Sequence, residues 1–216
     1  MSTLFPLGVP AHIGLDFDNT LADYDRLFFV LAREQGLVSK ALPPTKLAVR
    51  AAVRRLSDGE LLWRRLQAAA YGDRICEAAL FPGARAFMTL AGRRGATVFI
   101  VSHKTKVAKE GRVDMHQAAL AFMRSKGLFD SEGPGLDVAR IFFEVTREAK
   151  VARIGDLGLD IFVDDLPEVF AEPGFPETTA RVLFAPAGAG AVPGLAIVGS
   201  YAELARLFFG QDLEAA

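Results

Sequence analysis

Cysteine is nearly absent: Cys76 is the only one in 216 residues. An intramolecular disulfide is therefore excluded, as is a structural zinc site built on thiolates. Histidine is almost as scarce, and His12, His103 and His116 are too scattered in sequence to form a metal site. Neither charge is in surplus: Lys and Arg number 25, Asp and Glu 26, for a formal net charge of −1. Non-specific nucleic-acid binding draws on an excess of Lys and Arg and has no basis here. No internal repeat, coiled coil or low-complexity tract is present. Met1–Pro10 lacks the basic segment and long apolar run of a signal peptide. One uncharged stretch, residues 182–202, is long enough to raise the question of a membrane span. Pro186 and Pro193, with Gly188, Gly190, Gly194 and Gly199, break it into strand, loop and strand instead. The expectation is a soluble cytoplasmic protein with no membrane and no nucleic-acid partner.

What is present is core-forming sequence. Hydrophobic residues make up 51% and charged residues 24%, enough for one packed domain with an insertion. Short apolar runs at 13–17, 97–101, 140–143, 160–163, 181–184 and 195–198 are rich in β-branched residues and Phe, and mostly uncharged. That composition suits strands buried on both faces, as in a parallel sheet. Helical patterns lie between them, at 82–93 and 115–126, from Thr146 to about Ile154, and from Ser200 to Phe209. The punctuation fits: Pro82 at a start, Gly95 and Gly127 past the ends, Thr146 and Ser200 as caps. Alternating strand and helix predicts an α/β fold with a doubly wound parallel, Rossmann-like sheet. One region breaks the alternation. Tyr24–Leu80 has helical patterning and no convincing strand, and is far too long for an ordinary βα loop. It reads as an inserted helical cap, leaving 1–23 plus 81–216 as the core.

The first predicted strand runs into Asp16-Phe17-Asp18-Asn19-Thr20. Two carboxylates this close at the end of an apolar strand are costly to bury unpaired, and suit a hard divalent cation. A simple turn uses the same residue types. Three further groups follow later strands: Ser102-His103-Lys104-Thr105, Thr146-Arg147-Glu148-Ala149-Lys150, and Asp164-Asp165. In a parallel sheet the carboxyl ends of strands share one edge, where ligands bind. Asp16, Asp18, Ser102, Lys150 and Asp164 can therefore converge.

In these positions the chain resembles the haloacid dehalogenase-like (HAD) hydrolase superfamily. That family is marked by D-x-D-x-[TV] after the first strand, then a Ser or Thr, a Lys and an acidic pair, and the resemblance runs from about residue 11 to 185. The insertion is similar to the family's helical C1 cap. The phrases at 102–105, 142–147 and 162–167 resemble a bacterial subgroup that implies no definite substrate. The resemblance implies a Mg²⁺-dependent phosphatase acting on a small phosphorylated metabolite through an aspartyl-phosphate. Asp16 would be the nucleophile and Asp18 the general acid/base. Ser102 and Lys150 would hold phosphoryl oxygens. Asp16, the Asp18 backbone carbonyl and Asp164 would bind the metal, with Asp165 orienting a metal-bound water or Lys150.

Other readings stay open at this point. The family name invites a 2-haloacid dehalogenase, although a halide leaves without a proton and such enzymes generally lack a second Asp at position 18. A weakly catalytic binding or regulatory protein can use the same fold. A signalling receiver uses similar residues, but in another order and in a shorter chain. Ser102 beside His103 is not a serine-hydrolase site, because no G-x-S-x-G elbow is present. Arg147 reads equally as an anion contact or a solvated helix start. Arg54, Arg55, Arg64 and Arg65 read as a solvated face of the insertion that can also draw in an anionic substrate. Trp63 is expected in the core of the insertion. Asp156 and Asp160 read as turn residues, and Gly188, Gly190 and Gly194 as a loop. Leu27, Phe28 and Phe29 suit either a cap core or a dimer contact, so monomer and homodimer both remain.

Overall fold

The computed structural model describes residues 11–110 and 112–213, and the reading of Met1–Pro10 lies outside them. In chain order the elements are β1 (His12–Leu15), β2 (Ala22–Asp23), α1 (Asp25–Glu34), α2 (Lys46–Val53), α3 (Gly59–Tyr71), β3 (Ala79–Leu80), α4 (Ala84–Arg93) and β4 (Thr97–His103). They continue with α5 (Met115–Ser125), β5 (Ile141–Glu144), α6 (Arg147–Asp156), β6 (Ile161–Asp164), α7 (Pro167–Phe170), β7 (Ala180–Phe184), β8 (Ala196–Val198) and α8 (Tyr201–Phe209). The chain divides into two compact units. Among the described residues, one holds 11–21, Phe81–Lys104 and 127–213; the other holds Ala22–Leu80 with 105–110 and 112–126.

In the first unit, six strands form a parallel sheet in the order β5-β4-β1-β6-β7-β8. The chain runs outward from β1 through β4 to β5, then returns to build β6, β7 and β8 on the other side. The reversal at β1 makes the crevice beside it the topological switch point of a doubly wound sheet. Neighbouring residues of β7 show that both faces are covered. Leu183 packs in a cluster with Val151 and Ile154 of α6 and with Phe162. Phe184 turns the other way and meets Tyr201 of α8, with ring centroids 5.2 Å apart, and Tyr201 in turn meets Phe87 of α4 at 5.5 Å. The uncharged stretch at 182–202 is strand, loop and strand, and no described helix is long and apolar enough to cross a membrane.

Gly14 shows why β1 can lie at the centre of this packing. A Cβ there would meet the side chain of Leu159 and come within 2.6 Å of Phe162 Cδ2. Gly14→Ala is therefore an overpacking substitution, with an expected cost of about 1–3 kcal/mol. Urea denaturation should show a lower midpoint with an unchanged slope.

The second unit is helical. Phe28 of α1 stacks on Trp63 of α3 at 4.8 Å, and Tyr24 meets Tyr71 edge-on at 4.9 Å. Trp63 is thus a core residue, as its place in the pattern predicts. Thr45 caps α2, accepting from the Ala48 amide at 3.2 Å, and the Lys46 amide donates to Asp25 at the start of α1. The two ends of the 22–80 segment pair as a short antiparallel ribbon, Ala22 opposite Leu80 and Asp23 opposite Ala79. One boundary differs from the sequence reading, which placed residues 105–126 in the core. They belong to the helical unit, where α5 packs on α3 and on the 3₁₀ turn Ile75–Glu77. Buried Ala119, Phe122 and Met123 form the packing face of α5, and Lys126 donates to the Cys76 carbonyl at 3.1 Å.

Candidate active site

Strand register brings the acidic residues together. Leu15 is level with Ile100 of β4 and Val163 of β6. One step further, the Asp16 amide donates to the Val163 carbonyl at 2.9 Å, which sets Asp16 beside Asp164. Both carboxylates are buried, as are Ser102 near the end of β4 and Lys150 on α6. Lys150 is delivered by the helix start that Thr146 caps. The Thr146 hydroxyl accepts from the Ala149 amide at 3.1 Å, which fixes the first turn of α6. The Lys150 ammonium then bridges Asp16 Oδ1 and Asp164 Oδ2, at 2.6 Å to each.

The adjoining groups are also tied. The Leu166 amide donates to Asp164 Oδ1 at 3.0 Å. Asn19 takes the left-handed conformation, φ 60°, which its short polar side chain tolerates, and its Nδ2 donates to Asp165 Oδ2 at 3.2 Å. Lys150 bonds Asp16 and Asp164, and Asp165 accepts from the Asn19 amide. The Tyr201 hydroxyl, buried on α8, donates to the Thr20 carbonyl at 2.9 Å and anchors the end of the motif to the far end of the chain. Burial above all, with the charge of Asp16, holds the Tyr201 proton more tightly than in an ordinary tyrosine.

One site residue was not singled out from sequence. Lys104, one residue past the end of β4, is buried, and its ammonium donates to Asp18 Oδ2 at 2.7 Å. The available signal was alternation, which puts Ser102 and Lys104 on the same side of an extended chain. Several other charged residues are paired. Arg147 pairs with Glu172 at 3.5 Å, Arg54 with Glu60 at 2.7 Å, and Arg64 with Glu110 at 3.4 Å. His103 is exposed, with Nε2 3.2 Å from the Val145 carbonyl oxygen. Asp160 accepts from the amides of Ala11 and His12 and so pins the entry to β1.

Burial is the largest influence on Asp16 and pushes its carboxyl up from the ordinary 3.8 to about 8. Lys150 opposes the rise, and the charges of Asp164, Asp165 and Asp18 add to it. Burial disfavours the Lys150 ammonium, but the two carboxylates it bonds outweigh that, and its proton is held more tightly than in a free lysine.

The donor set fits a hard divalent cation. Asp16, Asp164 and Asp165 each offer a carboxylate oxygen, and these oxygens lie within 4.8 Å of one another. An octahedral Mg²⁺ with bonds of about 2.1 Å sets adjacent ligands about 3.0 Å apart and opposite ones about 4.2 Å apart, so these side chains would draw together to form a ligand shell. The Asp18 carboxylate is not in this cluster and accepts from Lys104 instead.

No family model matches the chain, and no curated protein matches it in sequence. Solved structures do match it. A HAD-superfamily hydrolase of subfamily IA, variant 1, from Geobacter sulfurreducens PCA aligns with a TM-score of 0.57 at 14% identity, covering 93% of this chain and 97% of that one. The HAD-hydrolase YfnB from Bacillus subtilis, bound to magnesium, aligns with a TM-score of 0.52 at 16% identity, covering 92% and 98%. A dehalogenase with an intermediate complex aligns with a TM-score of 0.54 at 16% identity, covering 94% and 98%. The chain is therefore a protein of the haloacid dehalogenase-like hydrolase fold, the doubly wound α/β class expected from its motifs.

Proposed function

We propose that this chain is a Mg²⁺-dependent phosphatase of the HAD superfamily, of the C1-capped type, hydrolysing a small phosphorylated metabolite in the cytoplasm. The observation that carries the reading is the pairing of buried Asp16 and Asp164 through Lys150, at 2.6 Å to each, with Asp18 as a second carboxylate in the same motif. Phosphate monoesters are anionic and resist nucleophiles, so positioning and charge neutralisation dominate catalysis. A carboxylate oxygen of Asp16 attacks phosphorus, the ester P–O bond breaks, and Asp18 gives its proton to the departing oxygen. Asp18 then takes a proton from water as that water attacks the phosphorus of the aspartyl-phosphate, releasing inorganic phosphate and restoring Asp16. The Ser102 hydroxyl and the Lys150 ammonium hold phosphoryl oxygens and offset their charge. Asp16, Asp164 and the Asp18 carbonyl, with Asp165 close by, would hold a Mg²⁺ ion, whose chemistry would be to offset further negative charge. The helical unit leaves the chain directly after the Asp16–Thr20 motif, and we assign substrate choice to it.

Asp18 favours phosphoryl transfer over dehalogenation, because a halide leaves without a proton. The test is turnover of an aryl phosphate with Mg²⁺, abolished by EDTA and restored by added Mg²⁺, with no halide released from 2-haloacids. Halide release without phosphate release would replace the reading with dehalogenation. Ligand binding with no turnover of any phosphate ester would replace it with a regulatory role.

Metal binding should also appear in stability. A carboxyl that holds its proton more tightly when folded binds more protons in the native state than in the unfolded one. The contribution of Asp16 to the stability of the metal-free chain therefore falls as pH rises from 3.8 towards about 8. Mg²⁺ at 100 times its Kd should raise Tm by about 5–10 °C. The rise should be larger at pH 8 than at pH 5, where protons compete for Asp16. A thermal melt with and without Mg²⁺ at the two pH values checks this.

A further inference from the structure

We infer that Lys104 is the positioning residue for Asp18, holding the carboxylate where it meets the leaving-group oxygen; this rests on the phosphatase reading. Lys104 continues the β4–β5 ladder, its amide donating to the Glu144 carbonyl at 2.9 Å, so its Cα is fixed by the sheet. Its side chain is 3% exposed. An ammonium so buried requires an anion. It takes Asp18 Oδ2 at 2.7 Å and lies over the Phe17 ring, 5.4 Å from the centroid. Asp18 lies beyond β1, next to the left-handed Asn19, and its side chain is 22% exposed. A carboxylate on such a loop can swing, and the contact with Lys104 ties one of its oxygens to the rigid sheet. A buried ion pair is often no more stabilising than an apolar pair of similar volume. Holding a proton-transferring partner gives this ammonium a role that stability alone does not. General acid catalysis needs its carboxyl within about 2.6–3.2 Å of the receiving oxygen, and a misplacement of about 1 Å costs about 10²-fold.

The leaving group separates this role from a purely structural one. An alkyl phosphate departs as a basic alkoxide and needs the proton from Asp18; 2,4-dinitrophenyl phosphate departs as a stable phenolate and does not. The experiment measures kcat/KM, which reports steps through leaving-group departure, on both esters for wild type, Lys104→Met, Lys104→Arg, Asp18→Asn and Lys104→Met/Asp18→Asn, with Asp16→Asn as control. Lys104→Met should lose about 10²-fold on the alkyl ester and less than about 3-fold on the dinitrophenyl ester. Lys104→Arg keeps a cationic donor and should show a smaller loss with the same bias. Adding Lys104→Met to Asp18→Asn should cost almost nothing more on the alkyl ester. If Lys104→Met does not fold, Lys104→Arg decides by the same comparison. Equal losses on the two esters, or no loss on either, overturn the inference while an inactive Asp16→Asn leaves the phosphatase reading intact. An Asp16→Asn variant that still turns over overturns that reading, and this inference with it.

Discussion

Asp16→Asn is expected to reduce turnover of an aryl phosphate by at least about 10⁴-fold, the scale on which removal of a nucleophile acts. The amide is nearly the same size and can still accept from the Lys150 ammonium, so the fold should survive. It cannot attack phosphorus or carry the phosphoryl group. The substitution also removes one of the crowded carboxylates around Lys150. Because burial and the neighbouring charges push the Asp16 carboxyl up to about 8, the metal-free variant should be at least as stable as wild type at pH 8. An inactive but stable protein separates a chemical role from a structural one. Wild-type turnover would exclude the covalent route.

Lys150→Met should damage both stability and activity. The ammonium is the shared partner of Asp16 and Asp164. Its removal leaves two buried carboxylates facing each other, and breaking such a pair costs about 3–5 kcal/mol. For a chain of this size that lowers Tm by about 10 °C in EDTA. Mg²⁺ should restore part of the loss, because a cation reaches the same carboxylates. It should not restore turnover, since no ammonium then meets the phosphoryl oxygens. Melts of the variant in EDTA and in Mg²⁺, beside wild type, read this out. A Tm equal to wild type in EDTA would mean that the three-residue cluster is not held by Lys150.

The strands were legible because a parallel sheet buries both faces, so its strands are short apolar runs rather than alternating ones. Residues 97–101 and 160–163 show this plainly. Helix starts were legible where a side chain caps them, as Thr146 and Ser200 do. The ribbon of Ala22–Asp23 with Ala79–Leu80 was not, because two residues per strand carry no period. The periodicity of 115–126 shows a helix but not which unit it packs in. That depends on where Phe122 and Met123 find partners, which is a matter of tertiary contact. The site divides in the same way. Asp16, Asp18, Ser102 and Asp164 stand at the ends of predicted strands and Lys150 in the helix start that follows one, and a parallel sheet sets such ends along one edge. Lys104 lies in the same phrase as Ser102, but its burial and its bond to Asp18 depend on the reach of one flexible side chain. The left-handed turn at Asn19 and its bond to Asp165 likewise follow from a loop conformation rather than from a pattern.

The central claim is that the phosphoryl group passes through Asp16. It is tested most directly by quenching the wild-type protein in acid during turnover of an aryl phosphate with Mg²⁺ and mapping its peptides by mass spectrometry. The account predicts that the peptide containing Asp16 gains the mass of one phosphoryl group, and that the gain is absent from Asp16→Asn. A phosphoryl group found on another residue instead, in protein that is turning over, would contradict it.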